Sequence, residues 1–163
     1  MYEFLDRPVS SLDRGGRFLI WSMRSWVQTL AKNQCQPSAI APAFARWQML
    51  GGLRPFHRTM LILNRDALEN IQFCSLMCNH VAEDEAIILG LVANLCARRT
   101  AQVRDTLALI VAEDSIGDLL GALSELASAM AIAGLAPGSP AALFNTPRGD
   151  GARPGPDRGL AGA

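Results

Sequence analysis

Apolar residues recur at three- and four-residue steps through most of the first 134 positions, and no alternation of strands with helices appears. The first such stripe is Leu12, Leu19, Met23, Trp26 and Leu30, widened by Ile20 and Val27. Ser10 or Ser11 offers a side-chain cap, and Asp13 suits the positive end of the helix dipole. Gly15-Gly16 lowers the local propensity and moves the expected start toward Arg17, while Asn33 through Pro37 ends the helix.

A short helix is predicted over 42–50, with Pro42 in its first turn and Gly51-Gly52 as its stop. Arg54-Pro55 restarts a helix that carries Phe56, Met60 and Leu63 to about Arg65. The segment 71–78 fits either period. A lone strand has nowhere to pair, so an irregular crossing or short helix is expected there.

Residues 83–97 form the most legible helix: three acids occupy its first turn and Arg98-Arg99 follow its end. It is apolar nearly all round, with Ala86, Gly90, Ala93 and Ala97 as a stripe of small residues, and should be the buried central helix. Val103, Leu107, Ile110 and Val111 mark a further helix ending near Glu113-Asp114, and Ser115 with Asp118 should cap the last one. Gly134 is its stop. The expected fold is all-α: one bundle of about six helices over 1–134. A flexible Pro/Gly-rich tail over 135–163 should follow, with Leu143-Phe144 as its only docking point.

Composition agrees with one folded domain: 163 residues, 50% apolar and 18% charged. The N-terminus lacks a basic region followed by an apolar one, and the apolar run 86–97 is shorter than the about 20 residues that span a bilayer. A cytoplasmic protein with no membrane partner is therefore expected, with Cys35, Cys74, Cys78 and Cys96 reduced. Lys32 is the sole lysine among many arginines, a bias that suggests a GC-rich bacterial genome.

Charge changes the picture more. Residues 1–65 hold eight arginines and Lys32 against Glu3, Asp6 and Asp13, a net +6. Residues 66–134 hold three arginines against ten acids, a net −7, and the tail adds +1, so the total is zero. Such a split either holds two halves together or offers one to a partner of opposite sign.

The first helix carries the strongest candidate surface. At about 100° per residue, Arg14, Arg17, Trp21, Arg24 and Gln28 fall within a sector of about 80°, opposite the apolar stripe, with Phe18 and Lys32 on its margin. Arginine beside tryptophan gains cation–π energy, and both types are enriched at binding hot spots. The competing internal reading pairs these arginines with acids from 83–118. Nucleic-acid binding is disfavoured by the neutral total, the ten acids and the lack of a helix-turn-helix or RNP-like pattern.

Cys74, Cys78 and His80 form a weaker constellation. On a helix the two cysteines share a face and His80 points away; in an extended segment all three share a side. Zinc needs a fourth, borrowed ligand at an unusual spacing, so buried structural cysteines compete with a metal or thiol-redox role. Glu83-Asp84-Glu85 reads as dipole matching rather than as acid–base machinery. No glycine-rich phosphate loop or nucleophile–base motif stands out, so no cofactor and no catalytic residue is assigned. The reading is a non-catalytic helical protein that binds a partner protein or itself through Arg14, Arg17, Phe18, Trp21, Arg24 and Gln28.

Overall fold

Asp13 opens the first long helix. Its Oδ1 accepts the Gly16 N–H at 2.7 Å, giving one free first-turn amide a partner. This helix, α1, runs Arg14–Ala31, and the serines expected to cap it belong to a separate 3-10 turn, Val9–Ser11. Gly15 and Gly16 lie inside α1. A side chain at Gly15 would overlap the Leu135 carbonyl, so close backbone approach outweighs poor propensity at that position.

A computed structural model describes residues 3–138. After α1 come α2 (Gln36–Arg46), α3 (Leu50–Asp66), α4 (Glu83–Cys96), α5 (Thr100–Ile110) and α6 (Glu113–Ile132). Among the described residues β pairing is confined to the isolated bridges Pro8↔His80 and Ala67↔Val111. Over the described residues the chain is the expected all-α bundle of six helices.

The break between α2 and α3 differs from the one predicted. It falls at Trp47–Met49, where Gln48 adopts φ 59°, and Gly51-Gly52 belong to the first turn of α3. A side chain at Gly52 would strike the Met49 methyl group. Pro42 sits well inside α2 and Pro55 inside α3. Each removes one ladder bond, leaving the carbonyls of exposed Ser38 and Gly51 to solvent.

α1 packs on α2 and α4, α2 on α3, and α6 on α3, α4 and α5. Phe18, Phe44 and Phe56 form a chain of rings across α1, α2 and α3, with centroids 5.0 and 5.4 Å apart. α4 buries Glu85, Ala86, Ile88, Leu89, Leu91 and Val92. The small stripe does not admit a neighbour along its whole length, because a side chain at Gly90 would meet open space. By length and composition α6 is also the one described helix apolar enough to cross a membrane. Its Leu119, Leu123, Leu126 and Met130 are buried within the bundle.

Residues 67–82 cross the bundle without regular structure, as expected. Their far end does find a partner. Val9 N–H donates to Asn79 O at 2.7 Å and Val81 N–H to Arg7 O at 3.0 Å, because the segment before α1 returns alongside. At the other end, Ser115 does not cap α6. Its hydroxyl donates to Asp66 Oδ2 at 2.8 Å and ties α6 to the end of α3. Gly134, at φ 67°, ends α6, and the packed body continues past the predicted boundary: Leu135 and Pro137 are buried and Gly138 N–H donates to Asp13. The rest of the predicted flexible tail, with Leu143-Phe144, lies outside the described residues.

Candidate functional site

The exposed strip of α1 is narrower than the predicted sector. Arg14, Arg17, Trp21 and Gln28 are exposed, Trp21 at 37%, whereas Arg24 and Phe18 are each only 3% exposed. Arg24 and Phe18 lie on the two edges of the sector, about 120° apart around the helix axis. Both edges are covered: α2 closes over Phe18, and α4 with residues 74–82 closes over Arg24. Arg24 is thus closed to a partner, and Phe18 is reduced from a surface residue to one beneath the strip.

A groove of about 900 Å³ runs along the open strip. Arg14, Arg17 and Trp21 line it from α1, Arg46 and Trp47 from the end of α2, and Leu135 from the segment after α6. Phe18 supplies its floor, 5.5 Å from the Trp47 ring. The Arg14 guanidinium lies 5.4 Å from the centroid of Trp47. Among the described residues no carboxylate lines the groove. Among the described residues the ion pairs are Arg24–Glu85, Arg58–Asp118 and Arg65–Asp66, so Arg14, Arg17 and Arg46 are left without one. Gln28 is exposed but lies beyond the groove. Arg46 and Trp47 were not singled out from the sequence. The predicted 42–50 helix put them in its middle, whereas α2 ends at Arg46 and turns both side chains toward α1.

On the other edge, Arg24 grips Glu85 with two hydrogen bonds, Nε to Oε1 at 2.7 Å and Nη2 to Oε2 at 2.8 Å. The bond to Glu85 pushes the Arg24 pKa up. Arg24 also donates to the carbonyls of Cys78 and His80. Glu85 in turn accepts the Cys74 N–H at 3.2 Å and the Ala82 N–H at 2.9 Å. One buried ion pair thus fixes both ends of an arch over 74–82. Asp84 adds a bond from Gln72 N–H at 2.7 Å. Of the three acids read as dipole matching, two therefore hold the crossing segment as well.

Within the arch, Cys78 N–H donates to Ser75 O at 3.0 Å, which closes a reverse turn with Leu76 and Met77 at its tip. The turn folds Cys78 back toward Cys74, both thiols are half-buried, and Cys78 Sγ donates to the His80 carbonyl at 3.5 Å. The neighbouring Cys74 thiol, then the His80 backbone and the Arg24 charge, pull the Cys78 thiol down, while Cys78 and burial push Cys74 up. His80 is exposed and contributes backbone, not imidazole, to this network. Among the described residues no group of three His, Cys, Asp or Glu side chains stands close enough to hold a metal, so Cys74, Cys78 and His80 are not assembled as a ligand set.

His57, the other histidine, accepts the Trp26 indole N–H on Nδ1 at 2.9 Å, and burial pushes its pKa down. No protein-family model matches this chain, and neither a curated protein nor a solved structure matches it.

Proposed function

We propose that this is a non-catalytic binding protein whose Arg14–Arg17–Trp21–Arg46–Trp47 groove takes an acidic segment of a partner protein carrying an apolar anchor residue. The observation that carries this reading is a groove lined, among the described residues, by three arginines, two tryptophans and no carboxylate. A cationic rim recruits and orients an acidic partner, whereas desolvated aromatic contacts hold it. Arg14 is already stacked near Trp47, so part of the rim is pre-organised.

The test uses a synthetic peptide rich in Asp and Glu with a single Phe, titrated against the full chain and followed by tryptophan fluorescence. Binding should weaken with salt, and W21A or R17E should each cost about 2 kcal/mol of binding, or roughly thirtyfold. Both changes should leave helix content intact. A single-stranded oligonucleotide in parallel probes the polyanion alternative, since arginine and tryptophan also suit stacked bases. Tighter binding of the oligonucleotide, with a steeper salt slope, would overturn the protein-partner reading. Self-association abolished by the same two changes would make the partner a second copy of this chain.

A further inference from the structure

The arch over 74–82 carries a second kind of chemistry, independent of the groove. We propose that Cys74 and Cys78 form a peroxide-oxidisable dithiol that closes to an intramolecular disulfide across the Ser75–Cys78 turn. Three observations place the two sulfurs for it. The turn bond from Cys78 N–H to Ser75 O folds the chain back on itself, with Cys78 as the turn's last residue and Cys74 the residue just before its first. The Arg24–Glu85 pair anchors the two cysteines separately, Glu85 through the Cys74 N–H and Arg24 through the Cys78 carbonyl. Both thiols are half-buried rather than sealed in the core, and Met77 at the turn tip is 92% exposed, so a small oxidant can reach them.

The roles are unequal. Arg24 donates to the Cys78 carbonyl, so its guanidinium stands beside that cysteine, and the Cys78 thiol is held below its ordinary value while Cys74 is pushed up. Cys78 is therefore the attacking sulfur and Cys74 the resolving one. In the first step the Cys78 thiolate attacks hydrogen peroxide. A sulfur–oxygen bond forms, the oxygen–oxygen bond breaks, and hydroxide leaves as water with the proton that Cys78 gave up. In the second step the Cys74 sulfur attacks the Cys78 sulfenic acid. The sulfur–sulfur bond forms, the sulfur–oxygen bond breaks, and a second water carries off the hydroxyl group with the Cys74 proton. Two thiols and one peroxide give one disulfide and two waters. A dithiol reductant reverses the change by exchange.

Cys35 and Cys96 serve as internal comparators. Cys35 is exposed, with its thiol 3.2 Å from Ser38 Oγ, and it has no resolving cysteine beside it. Cys96 is half-buried against the Ala127 carbonyl.

The experiment treats the full chain with equimolar hydrogen peroxide at neutral pH, blocks free thiols with iodoacetamide, and maps the peptides by mass spectrometry without reduction. Expected is a 74–78 peptide lighter by two hydrogens and unalkylated, restored by dithiothreitol, with Cys96 still alkylated. In C74S, dimedone should trap a sulfenic acid on Cys78; in C78S, no sulfenic acid should appear on Cys74. Alkylation of both Cys74 and Cys78 in the treated wild-type chain, while Cys35 is oxidised, overturns the proposal. So does a disulfide that joins two chains instead of closing within one. The wild-type map stands whether or not the two variants fold.

Discussion

Arg24 and Glu85 meet as a bidentate ion pair with side chains 2% and 0% exposed, across 61 positions of sequence. Every strong acceptor on that carboxylate is used, by Arg24 and by the N–H groups of Cys74 and Ala82. Removing one member leaves a buried charge without its counter-ion. E85Q should therefore cost about 3–5 kcal/mol in urea denaturation. The double change R24M/E85L should cost much less than the two single losses added together, because no charge stays buried. Amide exchange at Cys74 and Ala82 should quicken in E85Q before global unfolding does.

Trp21 and Trp26 separate surface from core on one helix. Trp26 is 1% exposed and donates to His57, whereas Trp21 borders the groove. W26A should cost about 3–5 kcal/mol of stability. W21A should cost about 1 kcal/mol or less and leave Trp47 to report the groove. Chemical denaturation of both variants distinguishes these outcomes, and equal losses would place Trp21 in the core.

Two glycines should respond to alanine in opposite directions. A side chain at Gly90 in α4 meets open space, so G90A should stabilise by roughly 0.5–1 kcal/mol through better helix propensity. At Gly15 the added methyl would overlap the Leu135 carbonyl, so G15A should lower the Tm despite the same gain in propensity. Thermal unfolding of the pair, each against the parent, checks both signs.

His57 ties stability to pH. Its Nδ1 must be unprotonated to accept the Trp26 indole, and burial holds its pKa below the ordinary value of 6.5. The unfolded chain then binds a proton that the folded one resists. This contribution is fully present above about 6.5 and is lost as pH falls from there through the depressed pKa. The Tm measured across that window should drop on acidification. H57Q should flatten the pH dependence, and a parent profile flat over the same range would contradict the linkage.

Helix number and most helix positions were legible in the residues, but several boundaries were not. Ser115 carries the side chain of a cap, yet Asp66 of α3 lies within reach of its hydroxyl, and that bond draws it into the first turn of α6. Gly51-Gly52 look like a stop, but Gly52 is needed where Met49 crowds the first turn of α3. In both cases the deciding neighbour belongs to no local pattern. The groove was half legible: Arg14, Arg17 and Trp21 share a strip because helical geometry fixes their angles. Arg46 and Trp47 joined them only through packing of α2 on α1.

Local spacing along the chain sufficed for the all-α character, the apolar stripes and the placement of acids at the start of α4. These depend on backbone period and on residues within a few positions of one another. The fate of each arginine on α1 did not follow from that information. Arg17 and Arg24 differ by only about 20° around the axis. One faces solvent, and the other is enclosed because α4 and the 74–82 arch converge on it with a carboxylate and two carbonyls. A charge can be buried only where distant segments bring together enough acceptors to replace water, and no short-range pattern encodes that meeting.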